Sequence, residues 1–254
     1  MVSSKQKAQT QKLLSLCLLL TAFCFMIIAI DGPSGAGKST LGRMIARALG
    51  YLYVDTGAMY RAAALAVIES GADMSNSEAV AEVVARAKID LEGGPDSLRV
   101  MLNGRDVSGE IRTEEVSHAS SVISIIPEVR RTLVRCQREM GERAGGVVLD
   151  GRDVGTIVFP RADVKFFLTA APEARAARRF EEDRLKASNA TFEETLADIN
   201  TRDRRDSTRD DSPLRIAEDA VIIDSSELSI EEVFERMMKT IRERQSDAVG
   251  GSNL

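Results

Sequence analysis

Histidine is nearly missing from this chain: His118 is the single one in 254 residues, and cysteine is limited to Cys17, Cys24 and Cys136. No Cys-x-x-Cys spacing occurs and two of the three cysteines lie in an apolar leader, so neither a zinc site nor a disulfide framework is supported. A reducing, cytoplasmic setting fits this usage. His118 stands beside Ser117 and Ser120 on a segment that reads as helix, with no Cys or Asp cluster to frame it as a ligand, and is taken as structural. Excess basic charge is also absent: 34 Lys and Arg against 39 Asp and Glu leave a net charge of -5. That argues against a nucleic-acid binder working by general phosphate attraction. Internal repeats and low-complexity stretches are missing too. What remains, 44% apolar and 29% charged residues, is ordinary for a globular chain of one large domain or two small ones.

The leader imitates a secretory signal, with Lys5, Lys7 and Lys12 ahead of the apolar run Leu13 to Phe25. No small-x-small cleavage site follows, because Ala22 is succeeded by Phe23, Cys24 and Phe25. If Met26 to Ile30 is a strand, the remaining run is about 20 Å of helix against a hydrocarbon core of about 30 Å, too short to span. The preferred reading is that Met26 is the initiator and residues 1–25 belong to an over-long reading frame; an interfacial anchor is the alternative.

Beyond Met26, short apolar runs alternate with longer periodic ones, which predicts an α/β fold with a mostly parallel sheet. Core strands are expected at Met26 to Asp31, Tyr51 to Asp55, Gly146 to Asp150, Val164 to Thr169 and Ala220 to Asp224. Several end in Asp, placing ligand groups at the carboxyl edge of the sheet. Leu41, Met44, Ile45, Ala48 and Leu49 recur at helical spacing before Gly50. Val129, Leu133, Cys136 and Met140 form another helical stripe, which makes Cys136 a packing residue. Ser75 to Glu78, Thr191 to Glu194 and Ser229 to Glu232 read as helix-opening caps. Between about Lys88 and Arg112 the alternation breaks, and Asn103-Gly104 signals a hairpin within a small antiparallel insert. The tail from Ser246 is expected to be loose.

Gly32-Pro-Ser-Gly-Ala-Gly37-Lys38-Ser39 fills G-x-x-x-x-G-K-[ST] and lies between an apolar strand and an amphipathic helix, the context that the motif requires. Its backbone N–H groups and the helix N-terminus would face phosphate oxygens, Lys38 would reach the β and γ phosphates, and the Ser39 hydroxyl would bind magnesium. Regulatory GTPases carry an Asn-Lys-x-Asp guanine reader, and none is present. The large motor and transporter ATPases need coupling modules for which there is little room. A small kinase, or a nucleotide-gated switch without an acceptor substrate, remains.

Two further loops put arginine beside glycine at strand ends, Asp55-Thr-Gly-Ala-Met-Tyr60-Arg61 and Asp150-Gly-Arg152-Asp153, and favour an anion site over surface ion pairs. Arg202, Arg204, Arg205 and Arg209 then crowd into eight residues, not far from Arg175, Arg178 and Arg179. Interleaved acids allow a solvated ion-pair helix here. A loose phosphoryl-transfer transition state needs such charge, because stabilising spread negative charge is most of the catalysis. A monophosphate acceptor is already ionised near neutral pH, since its second pKa is about 6, so no general base is required.

IDGPSGAGKST within 28–40, DTGAMYR at 55–61, DVSGEIRTEEV at 106–116, LDGRDVGTIVFP at 149–160 and TRDRRDSTR at 201–209 together resemble the bacterial-type cytidylate kinases. The similarity runs from about Met26 to Gln245, and its middle motifs are far more specific than the phosphate loop. The resemblance implies a P-loop NTPase fold with a five-stranded parallel sheet, a monophosphate-binding domain with the antiparallel insert, and a mobile helical lid. In residue terms it implies an extension at 1–25, core at 26–61, 116–172 and 210–245, monophosphate-binding domain at 62–115, lid at 173–209 and tail at 246–254. The implied reaction moves the ATP γ-phosphoryl group to CMP or dCMP, with Mg2+ as cofactor, in a monomer without nucleic-acid or membrane partners. Other acceptors, UMP, AMP or shikimate, are the runner-up within the class.

By the same carry-over, Gly32, Pro33, Ser34, Gly35, Ala36, Gly37, Lys38, Ser39 and Thr40 would bind ATP. Thr56, Tyr60, Arg61, Arg152 and Arg209 would hold the acceptor phosphate, with Asp150 alongside. Ser121, Arg130 and Asp153 would read the cytosine edge, and Arg202 and Asp206 the sugar hydroxyls. Lys38, Arg152, Arg202 and Arg209 would carry the catalysis. An acidic acceptor such as Asp153 suits the cytosine amine and repels the uracil carbonyl.

Overall fold

The computed structural model describes residues 25–185 and 190–250. The leader before Phe25, with Cys17 and Cys24, the centre of the expected lid at 186–189 and the last four residues lie outside the described residues.

Five parallel strands form the main sheet in the order β2-β6-β1-β7-β8, where β1 is Ile27–Asp31, β2 Leu52–Asp55, β6 Val147–Gly151, β7 Val164–Thr169 and β8 Val221–Asp224. The strands are shorter at their starts than expected, by one residue in β1, β2, β6 and β8, and β6 runs on through Gly151. Met26 nonetheless joins the edge of the ladder, its carbonyl accepting the Val147 N–H at 2.9 Å. Central β1 is an unbroken apolar run because both its faces are covered.

Alternation along the strands divides the core in two. Ala29, Val54, Val147 and Leu149 face α2 (Thr56–Ser70), α3 (Ser77–Arg86), α4 (Glu114–Ile123) and α5 (Pro127–Arg143), while Ile28, Ile30, Tyr53, Val148 and Phe166 face α1 (Lys38–Leu49) and α8 (Ile230–Gly250). Complete burial of a side chain such as Leu133 contributes about 1.5 to 3 kcal/mol. Cys136 is packed against the first of these cores, as its stripe predicts.

The antiparallel insert is present as β3 (Ile89–Glu92), β4 (Arg99–Leu102) and β5 (Arg105–Asp106). Asn103 and Gly104 turn between β4 and β5 with φ of 51° and 82°, the positive pair that a tight hairpin demands. Val100 and Leu102 anchor the insert in the same core as α2.

Two helices, α6 (Pro172–Leu185) and α7 (Phe192–Thr208), lead out and back. Capping boxes close on Thr191 with Glu194 and on Ser229 with Glu232. The box expected at Ser75 does not form. Asn76 caps α3 instead, accepting the Ala79 N–H at 3.1 Å, while Ser75 turns back and donates its hydroxyl to Asp73 at 2.8 Å. The expected loose tail is also corrected: α8 continues past Ser246 to Gly250, with the Ser246 hydroxyl donating to the Arg242 carbonyl at 3.0 Å. The run Arg242-Glu-Arg-Gln245 consists of good helix formers, so nothing stops the helix there.

Candidate functional site

The phosphate loop leaves the carboxyl end of β1, at the sheet position where the chain departs to opposite sides and open α/β sheets bind ligands. Gly32 is required here. Its φ is +148°, and a Cβ would lie 2.0 Å from the Leu168 carbonyl oxygen on neighbouring β7. The N-terminus of α1 has no side-chain cap and no acid in its first turn, which leaves its N–H groups and dipole to favour an anion. Lys38 is buried, and its ammonium donates to the Pro33 carbonyl at 2.7 Å. Burial and the nearby Arg152 charge push Lys38 down to about 7, against the pull of Asp150, Asp206 and Asp31.

Beside this loop, β6 delivers Asp150. One carboxylate oxygen accepts from the Ser39 hydroxyl at 2.8 Å and the other from the Tyr53 hydroxyl at 2.8 Å, while its carbonyl accepts from Thr56 at 2.7 Å. Burial and the neighbouring Asp55 raise Asp150 above the usual carboxylate range, opposed by Lys38 and the two hydroxyls. A hydroxyl and a charged carboxylate adjoining a phosphate site suit a hard divalent cation that keeps its remaining ligands as water and phosphate oxygen. Among the described residues no cluster of three or more His, Cys, Asp or Glu suits a metal.

Across the cleft, Arg130 and Asp153 form a buried ion pair. Arg209 comes within 3.8 Å of Asp153 and 3.9 Å of Asp206, and Arg152 donates to Asp206 at 2.7 Å. Although burial disfavours its charge, Asp206 is held below the usual carboxylate range by Arg152 and Arg209. The guanidinium of Arg130 lies 5.6 Å from the centre of the Tyr60 ring. Tyr60 Oη, Arg130 Nε and Arg209 Nη2 are buried without a hydrogen-bond partner. Each such group costs about 1 to 3 kcal/mol, and donors left open beside this cleft are suited to an anionic ligand.

The cleft, about 650 Å3, unites the two halves and is lined by nine arginines and one lysine against six acids. The surplus is local, since the chain as a whole is acidic. Thr56, Tyr60, Arg61, Ser121, Arg130, Asp150, Arg152, Asp153, Arg202, Asp206 and Arg209 all line it, as do Ser34 to Thr40. Gly32 and Pro33 instead form the back of the loop, against β7 and under Lys38. Arg61 pairs with Asp55 at 3.5 Å and Arg202 with Asp198 at 2.9 Å.

Several functional neighbours escape sequence reasoning. Arg112 lines the cleft, Arg205 donates to the Ser121 hydroxyl, and Tyr53 holds Asp150. Arg112 and Arg205 lie inside the motifs at 106–116 and 201–209 but carry no role there, and nothing local marks Tyr53, whose partner lies 97 residues away. Arg175, grouped by sequence with the lid arginines, is buried at the root of α6. It donates to the Ser34 carbonyl at 3.0 Å and pairs with Asp203 at 2.7 Å, bracing the phosphate loop against α7. His118 is exposed on α4.

A parallel sheet whose central strand feeds a phosphate loop, facing an arginine-lined cleft, defines a P-loop phosphotransferase of the small-molecule kinase class. The model of the cytidylate kinase family matches residues 28–243, and the chain belongs to that family. The cytidylate kinase of Geobacter sp. (strain M21) is 49% identical over 219 residues, covering 86% of this chain and 94% of that protein. That of Geobacter sulfurreducens is 48% identical over 225 residues, covering 89% and 96%. Among solved structures, TT1252 from Thermus thermophilus is similar at 21% identity and a TM-score of 0.44, covering 86% of this chain and 97% of that one.

Proposed function

We propose that this chain transfers the γ-phosphoryl group of ATP to CMP and dCMP, forming ADP and the corresponding diphosphate. The observation that carries the reading is one cleft lined by the phosphate loop, by Asp150 and by Arg130, Arg152 and Arg209. ATP lies with its phosphates on the loop from Ser34 to Thr40, and Lys38 exchanges the Pro33 carbonyl for phosphate oxygen. Arg152, Arg209 and Arg61 hold the acceptor phosphate, with Thr56 and Tyr60 beside it, and Arg202 reaches the region between the two substrates. Fixed cations aimed at the equatorial oxygens stabilise the loose transition state more than the ground state. The acceptor phosphate is ionised near neutral pH, so no base is required of the chain.

Ser39 and Asp150 would hold Mg2+. When bound, the ion screens the charge of the β and γ phosphates. Asp153, with Arg130 and Ser121, reads the base: its carboxylate accepts from the cytosine amine and repels the carbonyl that uracil carries there. Asp206 and Arg202 hold the sugar hydroxyls. The α6–α7 pair, carrying Arg178, Arg179 and Arg202, would close over the reacting phosphates and exclude water. Among the described residues no helix is long and apolar enough to cross a membrane.

The test is ADP release by the full chain with ATP, Mg2+ and a panel of CMP, dCMP, UMP, AMP and shikimate. Stimulation by CMP and dCMP above the others is expected. No stimulation by either cytidine nucleotide would overturn the proposal, and ATP hydrolysis independent of every acceptor would point to a nucleotide switch.

A further inference from the structure

Asp31 is a buried carboxylate that the reaction does not itself use. It ends β1, immediately before the phosphate loop, yet its two oxygens are turned to the other substrate's loop. One accepts the Val154 N–H at 2.8 Å and the other the Gly155 N–H at 2.7 Å, from residues more than 120 positions away. These are the two peptide groups that follow Asp153. The carbonyl of Asp153 is fixed on the same turn, accepting from Ile157 at 2.8 Å and Val158 at 3.2 Å. The Asp153 backbone is therefore held by its own carbonyl and by the next two N–H groups, while its side chain meets Arg130 and Arg209.

The fit around this clamp is tight. A Cβ on Gly155 would lie 3.1 Å from Lys165 Cδ and 3.3 Å from Asp31 Oδ2. An added methyl group there would press on both the Lys165 stem and the Asp31 carboxylate, so the turn approaches Asp31 most closely with glycine at that position. Burial and nearby Asp153 raise Asp31 to about 6, even though Lys38 and the two N–H groups pull it down. Keeping a carboxylate at such a site is costly, and the turn is the part of the molecule that gains from it.

We propose that Asp31 is a positioning residue for base recognition: by clamping the N–H groups of Val154 and Gly155 it sets where the Asp153 carboxylate meets the cytosine edge. This rests on the CMP reading above. Asp31 touches neither substrate. Its hydrogen bonds run to the 153–155 turn and so bear on the acceptor, while toward the ATP loop it acts only through the charge it presents to Lys38, a weaker pull than those of Asp150 and Asp206.

Asp31→Asn keeps the shape but leaves one acceptor, and turns an amide N–H against the second backbone N–H. Steady-state kinetics with CMP and UMP, at saturating and varied ATP, read the result. The expected signature is a KM for CMP raised about tenfold or more, the cost of losing one charge-assisted bond. The preference for CMP over UMP should narrow by a similar factor, and the KM for ATP should stay within about twofold. Gly155→Ala loosens the same clamp from the other side and should give the same split; it carries the test if Asp31→Asn does not fold, as judged by circular dichroism. An unchanged KM for CMP with unchanged CMP/UMP preference, or equal losses for ATP and CMP, would overturn the positioning role. A wild-type chain that does not turn over CMP would overturn the function reading itself.

Discussion

The Tyr53 hydroxyl donates to Asp150 Oδ1 at 2.8 Å while Ser39 holds Oδ2 at the same distance. The tyrosine comes from β2, the serine from α1 and the aspartate from β6, so the best-held carboxylate of the cleft is assembled from three elements. Because Tyr53 is fully buried and its ring lies against Gly42, its hydroxyl has little freedom to leave.

Tyr53→Phe removes that hydrogen bond and preserves the packing. With one donor lost, Asp150 is less well aimed, and the Mg2+ concentration for half-maximal activity should rise about tenfold, as for other residues that orient metal ligands. The fold should lose about 1 to 3 kcal/mol, since a buried carboxylate oxygen is left unbonded. Magnesium titration of activity and urea denaturation of the nucleotide-free protein measure the two effects separately.

Lys38 makes nucleotide binding depend on protons. In the free protein burial and Arg152 push it down to about 7 from the ordinary 10.5. Between those values the folded chain binds fewer protons than the unfolded one, so this group makes the free protein more stable as pH rises through that window. Bound phosphates supply the opposite charge and restore the ammonium. ATP binding at about pH 8 should therefore take up as much as about one proton. Calorimetry in buffers of different ionisation enthalpy counts it, and Lys38→Met should abolish the uptake.

Asp153→Asn tests base reading directly. The amide can accept from the cytosine amine but can also donate to a uracil carbonyl, so kcat/KM for CMP relative to UMP should fall about tenfold or more. Competition between the two acceptors in one assay gives the ratio without reliance on absolute rates.

Gly32→Ala should be among the most damaging single changes in the molecule. The new methyl group would meet a backbone oxygen at 2.0 Å, and strand-paired backbone cannot move aside as a side-chain tip can. A loss of about 3 kcal/mol is expected from overpacking and strain together, read as a lower urea midpoint with ATP affinity falling alongside it.

Much of the fold was legible because it depends on local chemistry. The apolar run of β1, the glycine-rich loop and the Asn103-Gly104 turn each state their conformation within a few residues. Where neighbours compete, local reading slips: Ser75 and Asn76 are both good caps, and the helix starts after Asn76 while Ser75 turns back to Asp73. Arg175 shows the same limit at longer range. Its sequence neighbourhood suggests a solvated lid helix, yet it is buried and braces Ser34 against Asp203.

Sequence alone determined that this chain is α/β, that it has a phosphate loop after its first core strand, and that arginines stand beside glycine at strand ends, where the acceptor phosphate is proposed to bind. Those conclusions follow from periodicity, glycine geometry and charge, all of which act over short stretches of chain. Only the tertiary structure decided how the two sites are wired together. Ser39 to Asp150, Asp31 to the turn after Asp153, and Arg205 to Ser121 are contacts across 84 to 124 residues. The first two exist because parallel strands bring their carboxyl ends to one edge whatever their separation along the chain, and the third because α7 folds back over α4.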